Sequence, residues 1–267
     1  MAAAASVRIG ADIGGTFTDV MVLGADGSVH PFKLLSTPED FGRAVVAAVR
    51  AFLDRTGLPP AAVSEIDHGT TVATTAILEK KGAKVGLLTT RGFRDVLEIR
   101  RVRLPVLYDL TWQKPEPIVR RERRLEVTER LGPDGEVRIP LDLDSARAAI
   151  TRLKESGVEA LAVCFLHSYA NASHERAVGE IAAREFPFVS LSCDVLPELR
   201  EYERTASTVV DAYVKPVVAG YLRNLRNHLD GLDVHAPLLV MQSSGGLVSD
   251  AGAADRPVRI IESGPAA

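Results

Sequence analysis

Residues 11–20 read ADIGGTFTDV and place two adjacent glycines, Gly14 and Gly15, between two apolar runs. Residues 7–11 before the glycines and residues 20–23 after them have the apolar character of short buried strands. A turn with two glycines lets the backbone approach a ligand closely, and its successive N–H groups can cradle phosphate oxygens. The stretch predicts a turn between two strands, which is either a plain β-hairpin or a phosphate-binding loop.

Polar residues on both sides of the glycines favour the phosphate-binding alternative. Thr16 and Thr18 add hydroxyl donors after the turn. Asp12, at the end of the first strand, is suited to hold Mg²⁺ or its waters, because a hard cation prefers carboxylate oxygen and keeps much of its water shell. Asp19, just past the turn, is suited to bind the same ion through a water molecule. We therefore expect a phosphate site with Asp12 and Asp19 at its metal.

Composition is that of an ordinary globular protein. The 267 residues include 46% hydrophobic residues, enough for one large domain or two smaller ones. The formal net charge of −3 gives no electrostatic reason to expect nucleic acid or an anionic membrane as a partner. Residues 1–10 lack the features of a secretory signal, and no apolar run is long enough to span a bilayer. We expect a cytoplasmic protein.

The two cysteines, Cys164 and Cys193, each lie among apolar residues. Two reduced, buried thiols are a simpler interpretation than a disulfide or a metal pair in such a protein.

Strand and helix patterns alternate along the chain, which predicts an α/β fold. A meander of three strands ends at residues 29–35, and a helix follows from about Thr37 to Gly57, with an apolar stripe that includes Val45, Val49 and Phe52. The further predicted strands are 64–68, 84–89, 158–165, 188–192, 237–241 and 257–261, with a hairpin of 124–131 and 136–141. The further predicted helices are 71–81, 145–155, 173–185 and 197–229, the last broken or kinked at Pro216. Because helix 71–81 connects strands 64–68 and 84–89, we expect these two strands to pair in parallel. Residues 104–117 read as a long connection.

The segment His68-Gly-Thr-Thr71 joins a predicted strand to a predicted helix. Thr70, Thr71 and the first N–H groups of that helix are suited to hold an anion or a polar substrate. His68 is suited to proton transfer near neutral pH. In the structural alternative, which spacing alone favours, Thr70 caps the helix and His68 is a hydrogen-bonded histidine at the strand end.

Two further polar glycine turns follow predicted strands near the end of the chain. One is the turn at residues 242–246, QSSGG, and the other is Ser263-Gly-Pro265, which is expected to open a helix. Each is an ordinary turn when taken singly. Together with the turn at Gly14, they predict a cleft that is lined from two sides, with Ser263 and Gly264 among its cofactor-binding residues.

Residues 91–130 are locally basic, with eleven Arg or Lys against seven Asp or Glu. A solvated surface with salt bridges is the default interpretation, and steering of an anionic ligand is the alternative. Nucleic-acid binding is disfavoured, because the few aromatic residues do not alternate with the arginines.

Several long motifs, in order and in register, resemble the hydantoinase/oxoprolinase family, in particular the N-terminal half of its hydantoinase A type. The motifs are DIGGTFTDV, HGTTVATTAILEKKGAKVGLLTTRGFRDVLEIRR, AVCFLHSYANASHE, LPELREYERTASTVVDAYVKP, LLVMQSSGGL and ESGPAA. The resemblance implies two regions, 1–195 with the first phosphate loop and 196–267 as the start of the catalytic domain.

The resemblance also implies a ribonuclease-H-like fold of the actin, sugar kinase and chaperone ATPase superfamily, in which two lobes clamp ATP and Mg²⁺. Asp12, Gly14, Gly15, Thr16 and Thr18 would form the first phosphate loop, and Gly264 would belong to a further turn of the nucleotide cleft. Members use ATP to open cyclic amides such as hydantoin or 5-oxoproline. A hydantoinase B type partner subunit, and hence a hetero-oligomer, is implied as well.

For the substrate side we expect His68, Thr70 and Thr71, with Arg91 and Arg94 as further candidates. The sequence departs from the family where Thr75 and Ser244 replace asparagines, which puts a role of those amides in substrate binding in doubt. The family continues to a second phosphate loop beyond the last residue here, so we expect the first half of the clamp, inactive alone.

Three alternatives stay open at this point. A ketone carboxylase would consume ATP in a bicarbonate-dependent way. A sugar kinase would also begin with a DIGGT-type loop, but it would leave the HGTT segment unexplained. A non-catalytic subunit would bind a partner chain through the basic region 91–130.

Overall fold

The computed structural model describes residues 6–37, 39–102, 108–109 and 111–266. Its strands are β1 (Val7–Ile13), β2 (Phe17–Gly24), β3 (Val29–Leu35), β4 (Val63–Thr70), β5 (Val85–Thr90), β6 (Arg124–Val127), β7 (Arg130–Leu131), β8 (Val137–Ile139), β9 (Ala160–Cys164), β10 (Val189–Leu191), β11 (Leu238–Met241) and β12 (Leu247–Ser249). Its helices are α1 (Gly42–Thr56), α2 (Val72–Leu78), α3 (Val96–Ile99), α4 (Leu143–Glu155), α5 (Ser173–Ala182), α6 (Ser192–Val195), α7 (Glu201–Asp230), α8 (Asp250–Asp255) and α9 (Ser263–Ala266). The predicted α/β class is therefore confirmed.

The chain divides into two compact units. Unit 1 comprises Met1–Gly82 and Val217–Ala267, and unit 2 comprises Ala83–Pro216. The regions 1–195 and 196–267 were predicted from the resemblance to the family. The division into two units does not test them, so they stay a prediction.

Unit 1 is built on a six-stranded sheet in the order β12-β11-β4-β1-β2-β3. Strands β1, β2 and β3 form the predicted antiparallel meander. Strand β4 lies parallel to β1 on one side and to β11 on the other. Three antiparallel strands followed by two parallel ones are the order of a ribonuclease-H-like sheet, as the resemblance implies.

One face of this sheet is buried because apolar residues alternate along β1 and β2. Helix α1 contacts β2 and β3 and buries the predicted stripe, including Val45, Val49 and Phe52. It begins at Gly42, later than predicted, and the Asp40 carboxylate accepts the Gly42 N–H at 3.2 Å. Gly57 ends it in the left-handed conformation, with φ of 69°, which glycine adopts without strain.

The predicted parallel pairing of residues 64–68 with residues 84–89 is wrong. Strand β4 already has β1 and β11 as neighbours, and β5 belongs to the sheet of unit 2. Every residue of β5 is buried, which is typical of a strand covered on both faces.

Unit 2 is built on a parallel four-stranded sheet in the order β10-β9-β5-β6. One apolar cluster joins the sheet to α4 and α5, and a second joins it to the first part of α7. The predicted hairpin is shorter than expected, because only β7 and β8 pair and β6 runs parallel to β5. Helix α7 continues through Pro216, so the predicted break does not occur.

The predicted strand at residues 257–261 is also wrong, because Pro257–Ile260 form a 3-10 turn. Pro257 has no N–H to donate to a neighbouring strand, and β12 pairs with β11 in its place. Part of the predicted connection 104–117 lies outside the described residues. Both cysteines are free, as predicted, and Cys193 is only half-buried. Among the described residues, no helix is both long and apolar enough to cross a bilayer.

Candidate functional site

The candidate site lies at one edge of the sheet of unit 1, where the parallel strands β1, β4 and β11 have their carboxyl ends. The turn at Gly14–Thr16 follows β1, His68–Thr71 ends β4, and the turn at residues 242–246 follows β11. Ligands of open α/β sheets bind outside the carboxyl ends of the strands. The fold therefore brings three of the predicted polar segments to one edge.

The turn after β1 is held by hydrogen bonds that leave its tip open. The Gly14 N–H donates to the Phe17 carbonyl at 3.0 Å, and the Ser36 hydroxyl donates to the Gly14 carbonyl at 2.7 Å. The Ser36 N–H donates to the Thr16 carbonyl at 2.9 Å. Ser36 was not expected from the sequence, and it fixes the turn from the end of β3.

Donors at the tip of this turn have no partner in the part of the chain that the structure describes. These are the N–H groups of Gly15 and Thr16 and the Thr16 hydroxyl. A Cβ added to Gly15 would meet nothing within 4 Å, whereas one added to Gly14 would lie 3.1 Å from the Phe17 carbonyl oxygen. The turn thus presents free donors and open space, which is the arrangement that an oxyanion requires.

Thr18 does not share this position. Its side chain is fully buried, and its hydroxyl forms a hydrogen bond of 3.0 Å with the Ser36 hydroxyl. Thr18 therefore stabilises the turn from inside the protein. It was predicted to contact a cofactor directly, and we propose instead that it positions the turn.

The two predicted metal carboxylates face each other across β1 and β2. Asp12 and Asp19 are cross-strand partners in the register of these strands. Partial removal from water raises the pKa of Asp12, and the negative charge of Asp19 raises it further. Lys33 donates to both Asp19 carboxylate oxygens, at 2.9 and 3.2 Å. Asp12 has no such partner among the described residues, so it is the more available ligand.

Gly264 lies beside Asp12. A Cβ added to Gly264 would be 3.8 Å from a carboxylate oxygen of Asp12 and 3.2 Å from the methyl carbon of Thr71. The ESGPAA segment therefore reaches the edge of the sheet where the glycine turn lies, as the resemblance implies.

The segment after β4 uses its polar groups internally. The Thr71 N–H and hydroxyl both donate to the Ile13 carbonyl at 3.1 Å, and the Val72 N–H donates to the Thr70 hydroxyl at 3.2 Å. Ser263 is fully buried; its hydroxyl accepts the Thr70 N–H at 3.1 Å and donates to the Thr70 carbonyl at 2.8 Å. Of the predicted anion-binding donors, the N–H groups of Thr70, Thr71 and Val72 and the Thr71 hydroxyl are therefore already occupied.

His68 is buried and hydrogen-bonded through both ring nitrogens. Its Nδ1 lies 3.0 Å from the Ala11 carbonyl and must donate to it, so Nε2 accepts from the Tyr221 hydroxyl. Burial lowers the pKa of His68 to about 4. Burial also raises the pKa of Tyr221, which keeps its hydroxyl protonated. The arrangement joins β4, β1 and α7, and it does not present His68 to solvent.

The turn after β11 is exposed and makes its own hydrogen bonds. The Gln242 N–H donates to the Gly246 carbonyl at 2.9 Å, and the Gly245 N–H donates to the Gln242 carbonyl at 3.0 Å. Gly245 and Gly246 have φ of 88° and 79°, which require glycine. Arg91 and Arg94 belong to unit 2 and are described with it below.

Comparisons with known proteins identify the family of the chain. Residues 8–186 match the hydantoinase/oxoprolinase N-terminal region, and residues 204–267 match the hydantoinase/oxoprolinase region that follows it. The chain belongs to the hydantoinase/oxoprolinase family. The resemblance given by its motifs is thus confirmed.

Relatives of this hydantoinase/oxoprolinase chain include proteins named as enzymes. It is 38% identical over 267 residues to the caprolactamase subunit alpha of Pseudomonas jessenii, covering 97% of this chain and 38% of that protein. It is 34% identical over 291 residues to 5-oxoprolinase 1 of Arabidopsis thaliana, covering 97% of this chain and 23% of that protein.

Solved structures show the same fold. The crystal structure of the ATP-dependent caprolactamase from Pseudomonas jessenii matches with a TM-score of 0.87 and 37% identity, over 97% of this chain and 39% of that one. Nucleotide-free acetone carboxylase matches with a TM-score of 0.87 and 28% identity, over 98% of this chain and 39% of that one. The hydantoinase/oxoprolinase chain described here thus spans less than two fifths of the length of these proteins.

Proposed function

We propose that this chain is the nucleotide-binding part of an ATP-dependent hydrolase that opens cyclic amides of the hydantoin or 5-oxoproline type. The observation that carries the proposal is the turn after β1. Its unpartnered donors at Gly15 and Thr16 follow the accessible Asp12 by three and four residues, at the carboxyl edge of parallel strands. The names of the caprolactamase and 5-oxoprolinase relatives support the substrate class.

In this proposal the tip of the turn holds phosphate oxygens. The N–H groups of Gly15 and Thr16 and the Thr16 hydroxyl are donors without a protein partner. Gly15 lets the phosphate approach, since the space where a Cβ would stand is open. The hydrogen bonds of Ser36 and Thr18 hold the turn in this conformation. Gly264 has no side chain, so the segment that contains it lies close to Asp12.

The residues fit a magnesium ion that is bound mostly through water. Asp12 is accessible, and a cation beside it would counteract the burial and the Asp19 charge that raise the pKa of its carboxyl. The described residues include no group of three or more His, Cys, Asp or Glu side chains that could hold a metal. Mg²⁺ takes one or two carboxylates and otherwise waters and phosphate oxygens, and Asp12 supplies one such carboxylate. When bound, the ion neutralises phosphate charge; Asp19 would assist through water.

An unstrained ring amide is a poor electrophile, which explains why such an enzyme consumes ATP. Transfer of the γ-phosphoryl group to the amide oxygen, with release of ADP, makes the ring carbon electrophilic. Water adds to that carbon and the C–N bond breaks, so that the nitrogen leaves as an amine. A second water then releases inorganic phosphate from the resulting acyl phosphate. The protein contributes positioning and charge stabilisation to such a transfer. In this chain, the donors of the turn position the phosphate, and Asp12 contributes to charge stabilisation through the ion that it would hold.

The segment after β4 has a different role in our proposal. His68, Thr70 and Thr71 were expected on the substrate side, yet their polar groups bond to the Ala11 and Ile13 carbonyls, to Tyr221 and to the neighbouring backbone. We assign them as positioning residues that hold the end of β1, and with it Asp12, in place. Ser263 acts in the same way on Thr70.

The relative from Pseudomonas jessenii is named as a subunit. We extend this to the present chain and propose a hetero-oligomer with a partner of the hydantoinase B type, in the cytoplasm. A second candidate function is ATP-dependent ketone carboxylation, which the structural match to acetone carboxylase favours.

ATP hydrolysis by the longest natural protein that contains this sequence, with its partner subunit, tests the proposal. Hydantoin, 5-oxoproline and caprolactam are compared with acetone plus bicarbonate. Phosphate release that rises only with a cyclic amide supports the hydrolase. Release that requires bicarbonate and the ketone supports the carboxylase, and release with neither contradicts both.

A further inference from the structure

We propose a second anion site, which lies wholly within unit 2 and takes a multiply charged oxyanion of the phosphate class. A cavity of about 380 Å³ opens between the residues after β5, the edge strand β6 and helix α4. Its lining includes four arginines, Arg91, Arg94, Arg124 and Arg152, and one carboxylate, Glu126.

The local charge of this cavity is not balanced by its own walls. Arg91, Arg94 and Arg152 form no salt bridge in the described part of the chain. Glu126 accepts the Gly92 N–H at 2.8 Å. Arg91 and Arg152 are exposed and Arg94 is half-buried, so an anion in the cavity would meet three cationic side chains that have no carboxylate partner of their own.

Two of the arginines also have buried N–H groups without a hydrogen-bond partner. These are Nε of Arg94 and Nη1 of Arg124. Arg124 is only 1% exposed; its Nε donates to the Val119 carbonyl at 2.8 Å and its Nη2 to Glu98 at 3.1 Å, so the side chain is held in place. Its Nη1 lies 3.9 Å from the Asp95 carboxylate, beyond hydrogen-bond distance.

Arg94 is held by the hydrogen bond from its Nη2 to the Arg121 carbonyl at 2.9 Å. A buried donor without a partner is costly, and Nε of Arg94 would gain a partner from an oxyanion in the cavity. Arginine is suited to phosphate because its planar fork matches the spacing of two phosphate oxygens. The cavity volume falls at the small end of the range for small-molecule sites, which suits pyrophosphate or a small phosphate ester. The default interpretation of residues 91–130, a solvated surface with salt bridges, accounts for the exposed Arg91 but not for the buried Nε of Arg94 without a partner.

Binding of inorganic pyrophosphate to the chain, measured by calorimetry in the presence of EDTA, tests this site. The double variant Arg94→Gln/Arg152→Gln removes two lining charges that form no salt bridge, so we expect it to fold. The expected result is at least a tenfold weaker affinity. The matched control is Arg184→Gln, an exposed arginine outside the cavity, which should keep the affinity within twofold.

Hydrogen exchange locates the binding independently of affinity. Pyrophosphate should slow amide exchange in residues 91–94 and 145–152 of the unaltered chain, and this protection should disappear in the double variant. Unchanged exchange in both segments, an affinity of the double variant equal to that of the control, or no measurable binding of pyrophosphate would each overturn the proposal. Thermal unfolding of both variants verifies that any loss is not a loss of fold.

Discussion

The turn after β1 and the segment after β4 lie at the same edge of one sheet, but they use their polar groups in opposite ways. In the turn, the N–H groups of Gly15 and Thr16 and the Thr16 hydroxyl have no partner in the described residues. In the segment after β4, the N–H groups of Thr70 and Thr71 and the Thr71 hydroxyl all bond within unit 1.

This difference distinguishes residues that are available to bind a ligand from residues that stabilise the fold. A free, exposed donor is available to a ligand, whereas a buried donor that is already paired stabilises the fold and would lose a hydrogen bond by turning to a ligand. Polar residues of similar type therefore have different roles at neighbouring strand ends. We expect changes in the turn to affect nucleotide use, and changes after β4 to affect stability first.

The largest effect is expected for Asp12→Ala, at the end of β1 just before the turn. Loss of the carboxylate removes the proposed magnesium ligand, so amide-stimulated ATP turnover should fall by about 100-fold or more, as when a group that stabilises charge in the transition state is removed. Steady-state phosphate release measures it. Asp26→Ala, which removes an exposed carboxylate from the β2–β3 turn, is the control and should retain turnover. Equal turnover in Asp12→Ala and the control would contradict the role of Asp12.

The next largest effect is on the pH dependence of the free energy of unfolding, to which His68 contributes. Its pKa is about 4 in the folded protein, below the value of about 6.5 in an unfolded chain. As pH falls through this window the unfolded chain binds the proton first, so the stabilisation present above about pH 6.5 is lost towards pH 4. The full change is on the order of 3 kcal/mol.

Denaturant unfolding from pH 4 to 7 measures this change. The unaltered chain should lose stability more steeply on acidification than His68→Gln, whereas His235→Gln, which alters an exposed histidine, should leave the slope unchanged. Parallel profiles for the unaltered chain and His68→Gln would show that His68 is not buried in its neutral form.

Tyr221→Phe should have a smaller effect on stability. The variant keeps the ring but leaves Nε2 of the buried His68 without a donor, which costs about 1–3 kcal/mol. Thermal or denaturant unfolding measures the loss. Because Tyr221 supports the segment after β4, the KM for ATP should stay within about twofold. A large rise in KM at unchanged stability would place Tyr221 in the binding site instead.

The smallest effect is expected for Lys33→Met. Lys33 pairs with Asp19 on the exposed face of the sheet, and such surface pairs contribute less than about 1 kcal/mol. Unfolding should therefore change by a few tenths of a kcal/mol. A loss of more than 2 kcal/mol in the free energy of unfolding would show that this pair is structural. Asp19 would then not be available to bind a water of the metal ion.

Sequence reasoning predicted what depends on nearby residues. The apolar runs on both sides of the glycine turn predicted β1 and β2 of the meander, and Gly57 predicted the end of α1. The pattern of β5, buried throughout, does not reveal its neighbours, so its pairing was predicted wrongly. Residues 257–261 are apolar enough for a strand, but Pro257–Ile260 form a 3-10 turn and β12 pairs with β11.

The candidate site was predicted in part, for the same reason. The glycine turn and Asp12 are visible in ten consecutive residues. The partners that occupy the segment after β4 are not, because Tyr221 is 153 residues from His68 and Ser263 is 193 residues from Thr70 in the sequence. A motif shows which groups can bind a ligand, and only the fold shows which of them are still free.

The most direct test of this account replaces two threonines by the same nearly isosteric residue, Thr16→Val in the turn and Thr71→Val after β4. Mg²⁺-dependent ATP affinity and unfolding free energy are measured for both variants. The account predicts that Thr16→Val weakens ATP binding about tenfold at unchanged stability, since its hydroxyl is free. It predicts that Thr71→Val keeps ATP affinity within twofold and loses about 0.5–1.5 kcal/mol of stability with the bond to Ile13. The reverse pattern would contradict it.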